Sequence, residues 1–88
     1  MIKTFCGKDT EALFKGERVK QFVNIQTLAM RKLAILNQAA RLDDLRVPLE
    51  ALAGDRAGQH SIRVNDQFRV CFRWTTEGPQ DVEIVDYH

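Results

Sequence analysis

Several things are scarce in this 88-residue chain, and each absence excludes a class of protein. The two cysteines lie far apart without metal-ligand spacing, and only two histidines are present, which disfavours a zinc site. The longest uncharged stretch, residues 21–30, is too short and too polar to span a bilayer. The N-terminus lacks the apolar segment and small-residue cleavage site of a secretory signal. We therefore expect a cytoplasmic protein without a membrane segment, a metal or a cofactor.

What is present indicates one small globular domain over residues 1–88. The composition is 44% hydrophobic and 28% charged, which argues against disorder. A chain of this length has room for one hydrophobic core. In a reducing compartment Cys6 and Cys71 are expected to be free thiols in or near that core.

A net charge of +1 conceals two unequal halves. Residues 1–46 contain nine Lys and Arg against five Asp and Glu, a balance of +4. Residues 47–88 contain four against seven, a balance of −3. The basic half fits docking on a phosphate backbone, and the alternative is an ordinary solvated helix face.

The first half of the sequence favours helices. The stretch MIKTF predicts a short strand, and GKDTEALFKG predicts a helix of about two turns. Apolar residues spaced i, i+3, i+4 and i+7 predict one long amphipathic helix over residues 22–41. The members of this stripe are Ile25, Leu28, Ala29, Lys32, Leu33, Leu36, Ala39 and Ala40.

In the second half the periodicity changes from 3.6 to 2. Pro48, Gly54 and Gly58 interrupt the connection LRVPLEALAGDRAGQ, which we interpret as loop and turn. The stretches HSIRV, FRVCFRW and DVEIVDYH then predict three strands joined by turns at NDQ and TTEGPQ. The predicted fold class is α+β: a two-layer β–α–α–β–β–β sandwich with a mainly antiparallel sheet and two N-terminal helices on one face.

Alternation along residues 68–74 assigns side chains to the two faces of that sheet. Its apolar members must face the helices, so Arg69 and Arg73 point to the opposite face. Arg63 joins them from the preceding strand, and Tyr87 is predicted beside them on the next. Guanidinium groups bind phosphate oxygens and an aromatic ring stacks on a base, so this face fits a single-stranded nucleic acid. The alternative is an open sheet face that is merely polar.

The stretch VEIVDYH adds groups that can transfer protons. His88 titrates near neutrality, and Asp86 and Tyr87 precede it. Together with Arg69 they would suffice for metal-independent RNA cleavage by the neighbouring 2′-hydroxyl. A frayed surface histidine is the alternative. His60 is a second candidate acid or base, with an ordinary surface histidine as its alternative.

The same residues resemble a known family. The element order, the stretch LEALAGDRAGQHSIRVNDQFRVCFRW and VEIVDYH are similar to the HigB branch of the RelE-like toxins, in the RelE/ParE superfamily. The resemblance runs along nearly the whole chain. It implies a bacterial type II toxin that cleaves mRNA in the ribosomal A site. It also implies a HigA-like helix-turn-helix antitoxin, whose complex with the toxin contacts operator DNA, so that the toxin meets DNA only indirectly.

The resemblance also implies roles for individual residues. Asp86, Tyr87 and His88 match the acid, aromatic and histidine of the family's active site, and Arg69 matches the arginine that lies against the scissile phosphate. Some relatives carry a further active-site histidine just before GDR, where this chain has Glu50 nearby. Either Glu50 acts there as a carboxylate, or His88 works without that partner.

Two further sets of basic residues complete the hypothesis. The set expected to hold mRNA phosphates is Arg56, Arg63 and Arg73. The set expected to dock on ribosomal RNA is Lys15, Arg18, Lys20, Arg31 and Lys32. The alternatives are a ribonuclease that needs no ribosome and a non-catalytic module that binds RNA or protein.

Overall fold

The computed structural model describes residues 1–45 and 47–86, which form a layer of helices packed on a four-stranded sheet. The sheet order is β1-β2-β3-β4, and each neighbouring pair is antiparallel. The predicted α+β class is therefore confirmed. None of the described helices is long and apolar enough to cross a membrane. The elements are α1 (Lys8–Phe14), α2 (Gln26–Gln38), β1 (Leu49–Ala51), β2 (His60–Arg63), β3 (Phe68–Thr75) and β4 (Gly78–Asp86).

The N-terminal segment forms less of a strand than its alternation predicts. It contributes one parallel bridge, between Phe5 and Val82, beside β4. The Cys6 amide donates to the Val82 carbonyl at 2.9 Å, and the Val82 amide donates to the Thr4 carbonyl at 3.1 Å. These bonds tie the segment to the β4 edge of the sheet.

The single long helix predicted over residues 22–41 is wrong at both ends. A 3₁₀ helix covers Lys20–Ile25, and α2 begins only at Gln26 and ends at Gln38. Valine, asparagine and isoleucine occupy positions 23–25 and have lower helix propensity than the leucine, alanine, lysine and arginine that dominate α2. Ala39 is already extended, with ψ 129°.

The apolar stripe of α2 is correspondingly narrower than predicted. Leu28 is 42% exposed, Ala40 is exposed, and Lys32 is half-buried at the edge, as its charge requires. The stripe members that do reach the core are Ile25, Ala29, Leu33, Leu36 and Ala39.

The connection before β2 forms a short strand and a 3₁₀ turn, although its proline and glycines predict only loop and turn. Leu49–Ala51 forms the edge strand β1, in which Glu50 pairs with Ser61 of β2. A 3₁₀ turn follows at Gly54–Arg56. Three residues after a proline are too few to display an alternation, so this strand is not visible in the sequence.

The core lies between the helices and one face of the sheet. Val70 and Phe72 of β3 are fully buried there, and Phe68 and Trp74 pack against them, as alternation predicts. Buried Thr10 of α1 joins helix to sheet, because its Oγ1 accepts a hydrogen bond from the Ile84 amide at 3.0 Å.

The opposite face of the sheet, which we call the outer face, carries Ser61, Arg63, Arg69, Cys71 and Arg73. This face is not open to solvent at its centre, where Ser61 and Cys71 are fully buried. The Arg69 side chain reaches across Ser61, and the charges of Arg56 and Arg69 act on Cys71. Burial raises the pKa of the Cys71 thiol, and the neighbouring Arg56 acts in the opposite direction. Both cysteines are free, but only Cys71 is buried, and Cys6 is exposed.

Replacing Thr10 with valine should destabilise the fold. Thr10→Val removes the acceptor of the Ile84 amide and leaves that buried N–H unpaired, at a cost of about 1–3 kcal/mol in the free energy of unfolding. Denaturant titration measures this loss. Thr27→Val, at an exposed position of α2, should change stability by less than about 0.5 kcal/mol. Equal effects of the two changes would contradict the role of Thr10.

The two thiols should differ in reactivity. A thiol reagent should label Cys6 rapidly in the native protein and Cys71 only as the protein unfolds. Because the folded pKa of Cys71 is raised, its contribution to stability is present below its ordinary pKa of 9.0 and is lost as pH rises through the folded value.

Measuring the free energy of unfolding above about pH 9 tests whether stability falls as pH rises. Cys71→Ala should lose less stability with rising pH than the natural chain or Cys6→Ala. Rapid labelling of both thiols, or identical alkaline slopes in all three proteins, would refute the burial of Cys71.

Candidate active site

A cleft of about 300 Å³ opens beside β1, and charged side chains from four elements line it. Lys32 reaches it from α2, Glu50 from β1, Arg63 from β2 and Arg69 from β3. Three cations and one carboxylate therefore converge on a space that can hold a phosphate group. The apolar part of the wall is Val47, Pro48, Leu49 and Ile62.

Arg69 is the most constrained of these cations. Its Nη1 donates to Ser61 Oγ at 3.0 Å, and its Nη2 lies 3.3 Å from Glu50 Oε2. Its side chain is only 22% exposed. Because Ser61 is fully buried in β2, the guanidinium is held at the floor of the cleft with a fixed orientation.

Glu50 and Arg69 were predicted separately, and the structure brings them into contact. The pairing of Glu50 with Ser61, and of Ser61 with Cys71, places the carboxylate on the outer face beside β3. A carboxylate oxygen accepts a proton, and a guanidinium binds the oxygens of a phosphate. The pair therefore combines two of the functions that cleavage of a phosphodiester uses, a proton acceptor and a cation for the phosphate.

Arg63 stands at the hairpin end of the cleft. Its Nη2 forms an ion pair with Asp66, and its Nε donates to the Asn65 carbonyl at 3.2 Å. The predicted NDQ turn forms here, because Asn65 Oδ1 accepts hydrogen bonds from the amides of Gln67 and Phe68. The turn fixes the position of Arg63 relative to Arg69, its pairing partner on β3.

Arg56 and Arg73 lie farther along the outer face and do not line the cleft. Arg56 Nη2 is 3.3 Å from Glu83 Oε1, and its Nη1 donates to Gln59 Oε1 at 3.1 Å. Arg73 Nε is 3.9 Å from Asp81 Oδ2. Arg73 itself lies about 13 Å along β3 from Arg69. The two arginines continue the face away from the cleft.

The Asp86 side chain points to the face of the sheet opposite to that of Arg69. It pairs with Phe68, whereas Arg69 pairs with Val85, so alternation directs the Asp86 and Arg69 side chains to opposite faces. Asp86 Oδ2 accepts a hydrogen bond from Gln67 Nε2 at 3.0 Å. Its catalytic role stays a prediction. The roles of Tyr87 and His88 also stay predictions, because both residues lie outside the described part of the chain.

His60 is not brought to the cleft either. It pairs with Phe72 on the helix side of the sheet, where the two rings stack with centroids 6.1 Å apart. Within the described residues its buried Nδ1 has no hydrogen-bond partner. This placement favours packing over proton transfer for His60.

The docking residues other than Lys32 lie on the helical side of the molecule. Lys15 forms an exposed i, i+4 pair with Glu11, whose Oε2 is 3.6 Å from its Nζ. Arg18 and Lys20 follow in the segment between the helices, and Arg31 is exposed on α2. Only Lys32 belongs to both the helix layer and the cleft.

Sequence reasoning missed Ser61 and three acidic residues of this site. Ser61 and Arg63 lie on either side of core-facing Ile62 in β2, so alternation already assigns Ser61 to the same outer face as Arg63. The acidic residues are Asp66, Asp81 and Glu83, the partners of three arginines. The excess of acids in the second half of the chain was the available signal. Among residues 1–45 and 47–86 no group of three or more potential ligands could hold a metal.

Comparison with known proteins identifies the family. A model of the RelE-like toxin of the type II toxin–antitoxin system HigB matches residues 4–88. The curated protein Toxin HigB-1 of Vibrio cholerae serotype O1 is 35% identical over 80 residues, an alignment that covers 84% of this chain and 84% of that protein. Both matches agree with the helix-on-sheet fold. The resemblance noted in the sequence is thus confirmed, and the chain belongs to the HigB-like, RelE-like toxins of type II toxin–antitoxin systems.

Proposed function

We propose that this toxin is an endoribonuclease that cleaves mRNA in the ribosomal A site, in the cytoplasm, without a metal. The contact between Glu50 and Arg69 carries the proposal, because it joins a proton acceptor to a phosphate-binding cation. Lys32 and Arg63 line the same cleft and supply further positive charge. Family membership makes an antitoxin the natural partner, and we propose a HigA-like helix-turn-helix protein.

Arg69 is proposed to bind the scissile phosphate. Cleavage adds negative charge to the phosphoryl oxygens as the 2′-oxygen attacks, and a fixed guanidinium stabilises that charge in the transition state. Arg69 is held by Ser61 and is mostly shielded from water, so it needs little reorganisation when the charge develops. A lysine could supply the charge but not the two-pronged geometry.

The proton transfers require one base and one acid. The base removes the 2′-hydroxyl proton as the 2′-oxygen bonds to phosphorus, and the acid protonates the 5′-oxygen as its bond to phosphorus breaks. The products are a 2′,3′-cyclic phosphate and a free 5′-hydroxyl. Glu50 is proposed as the base because it adjoins the phosphate-binding nitrogen. His88 is proposed as the acid, with Asp86 and Tyr87 as further members of the site, on the family motif alone.

The remaining basic residues are proposed to position the two RNAs. Arg56, Arg63 and Arg73 follow one another over the outer face and would contact successive phosphates of the mRNA strand. The helix side would dock on ribosomal RNA through Lys15, Arg18, Lys20, Arg31 and Lys32. This division explains why Lys32, at the junction of helix layer and cleft, fits both roles.

Replacing Arg69 tests the proposed phosphate contact. Arg69→Ala should slow mRNA cleavage on translating ribosomes by about 10²–10³-fold, the loss that follows removal of one transition-state donor. Arg69→Lys should recover part of that loss through charge alone. Cleavage is measured in an in-vitro translation reaction and, in parallel, with the same RNA free of ribosomes.

The matched control is Arg41→Ala, an exposed arginine outside every proposed set. It should cleave like the natural chain. Equal cleavage of free and ribosome-bound RNA would remove the ribosome from the mechanism. A harmless protein that binds RNA without cutting it would instead indicate a non-catalytic binding module.

The proton-transfer groups are tested by Glu50→Gln and His88→Gln. Both changes should reduce cleavage, because each removes one of the two proposed proton-transfer groups. Mapping of mRNA 5′ ends after induction gives the cellular readout. Toxicity and 5′ ends unchanged by His88→Gln would exclude His88 as the acid.

A further inference from the structure

Every arginine of the outer face and of the turn above it lies against a carboxylate of the same chain. Three of these contacts join different segments or strands, and only one is local to a hairpin. The face predicted to attract RNA is therefore already neutralised in the free protein. The pairs are Arg56 with Glu83, Arg63 with Asp66, Arg69 with Glu50 and Arg73 with Asp81.

The backbone directs one of these carboxylates toward its arginine. The register of β3 and β4 shifts between Cys71 and Arg73, and Asp81 lies in the resulting bulge. Asp81 has φ 54°, the one positive φ among the non-glycine residues described. Bulges redirect side chains, and this one brings the Asp81 carboxylate to 3.9 Å from Arg73.

Glu83 lies on β4, beside the buried centre of the face. It pairs with buried Cys71 across β3 and β4, and the turn that carries Arg56 folds over it. The side chains of Arg56 and Glu83 are 34% and 32% exposed, so water screens this pair less than the Arg63–Asp66 and Arg73–Asp81 pairs. The same turn approaches Arg73, since a Cβ on Gly58 would lie 2.8 Å from Arg73 Nη1.

We infer that these carboxylates compete with RNA phosphate for the arginines of the outer face. Because of this competition, the toxin binds an RNA strand that a partner holds in place in preference to free RNA. The inference rests on the proposed function for its ligand. A phosphate that approaches Arg56 or Arg73 must displace a carboxylate already in contact. Free RNA gains little from that exchange, whereas a strand fixed beside the face benefits from a high effective concentration.

The strength of the competition follows from the exposure of the pairs. Partly exposed ion pairs are weak, so each should reduce the affinity for phosphate by about two- to fivefold. Two pairs together would then reduce it by about four- to twenty-five-fold if they act independently. Such a penalty disfavours free RNA without blocking a strand presented on the ribosome.

The test compares two double variants of equal net charge. Glu83→Gln with Asp81→Asn frees Arg56 and Arg73, and asparagine tolerates the positive φ of position 81. Asp43→Asn with Glu77→Gln removes the same charge from exposed positions outside the four pairs. The probe is a short 2′-O-methyl oligoribonucleotide, which keeps the phosphates and cannot be cleaved by 2′-hydroxyl attack.

The variant with Glu83→Gln and Asp81→Asn should bind the probe about four- to twenty-five-fold more tightly than the variant with Asp43→Asn and Glu77→Gln. The slope of its log affinity against log salt concentration should become more negative by up to about 1.4, because each freed cation adds about 0.7 to the magnitude of that slope on a single strand. Its cleavage of free RNA should rise relative to its cleavage on ribosomes. If the double change impairs folding, Glu83→Gln alone should give half the change in slope.

Equal affinity and equal salt slope in the two double variants would overturn the inference, and so would no detectable binding by either. Those results leave the proposed function standing if the natural chain cuts mRNA on ribosomes. Conversely, a steeper slope without any cleavage on ribosomes would support the internal competition and reject the endoribonuclease.

Discussion

Side-chain alternation along β3 is the constraint on which the site depends. Val70 and Phe72 are fully buried against the helices, so the residues between and beside them must point to the outer face. A slip of one residue would place Arg69 in the core and expose Phe72. Stability and the proposed chemistry are thus coupled through one strand, because the core that holds the fold together also fixes the position of Arg69, the proposed phosphate-binding cation.

The cleft joins a rigid cation to a less constrained carboxylate. Arg69 lies on a central strand and is bonded to buried Ser61, whereas Glu50 is 53% exposed on a three-residue edge strand. Edge strands have fewer backbone partners, so β1 can yield more readily than β3. Glu50 can therefore move away from Arg69 without disturbing the guanidinium. The proposed base and the proposed phosphate-binding group need that separation if RNA is to enter between them.

Periodicity revealed the fold class and the outer-face position of Arg69, because both follow from local alternation. It did not reveal β1, which is too short, or the contact of Arg56 with Glu83, which joins residues 27 positions apart. Asp86 is instructive in a different way. Alternation from buried Ile84 already assigns Asp86 to the helix side, whereas the proton-transfer groups of VEIVDYH and the family motif grouped it with Arg69. Local pattern and family motif therefore carry different information.

The arginine–carboxylate pairs of the outer face show how the uneven charge of the sequence is distributed in the structure. The helix layer keeps exposed cations such as Arg31, while the arginines of the outer face are matched by acids from their own half of the sequence. The molecule measures 32 × 26 × 22 Å, so its two sides lie farther apart than the Debye length of about 8 Å at physiological salt. The helix side can therefore attract a polyanion over distance, while the neutralised face adds little to that attraction. The proposed long-range association and the proposed short-range phosphate recognition thus belong to opposite sides of one small domain.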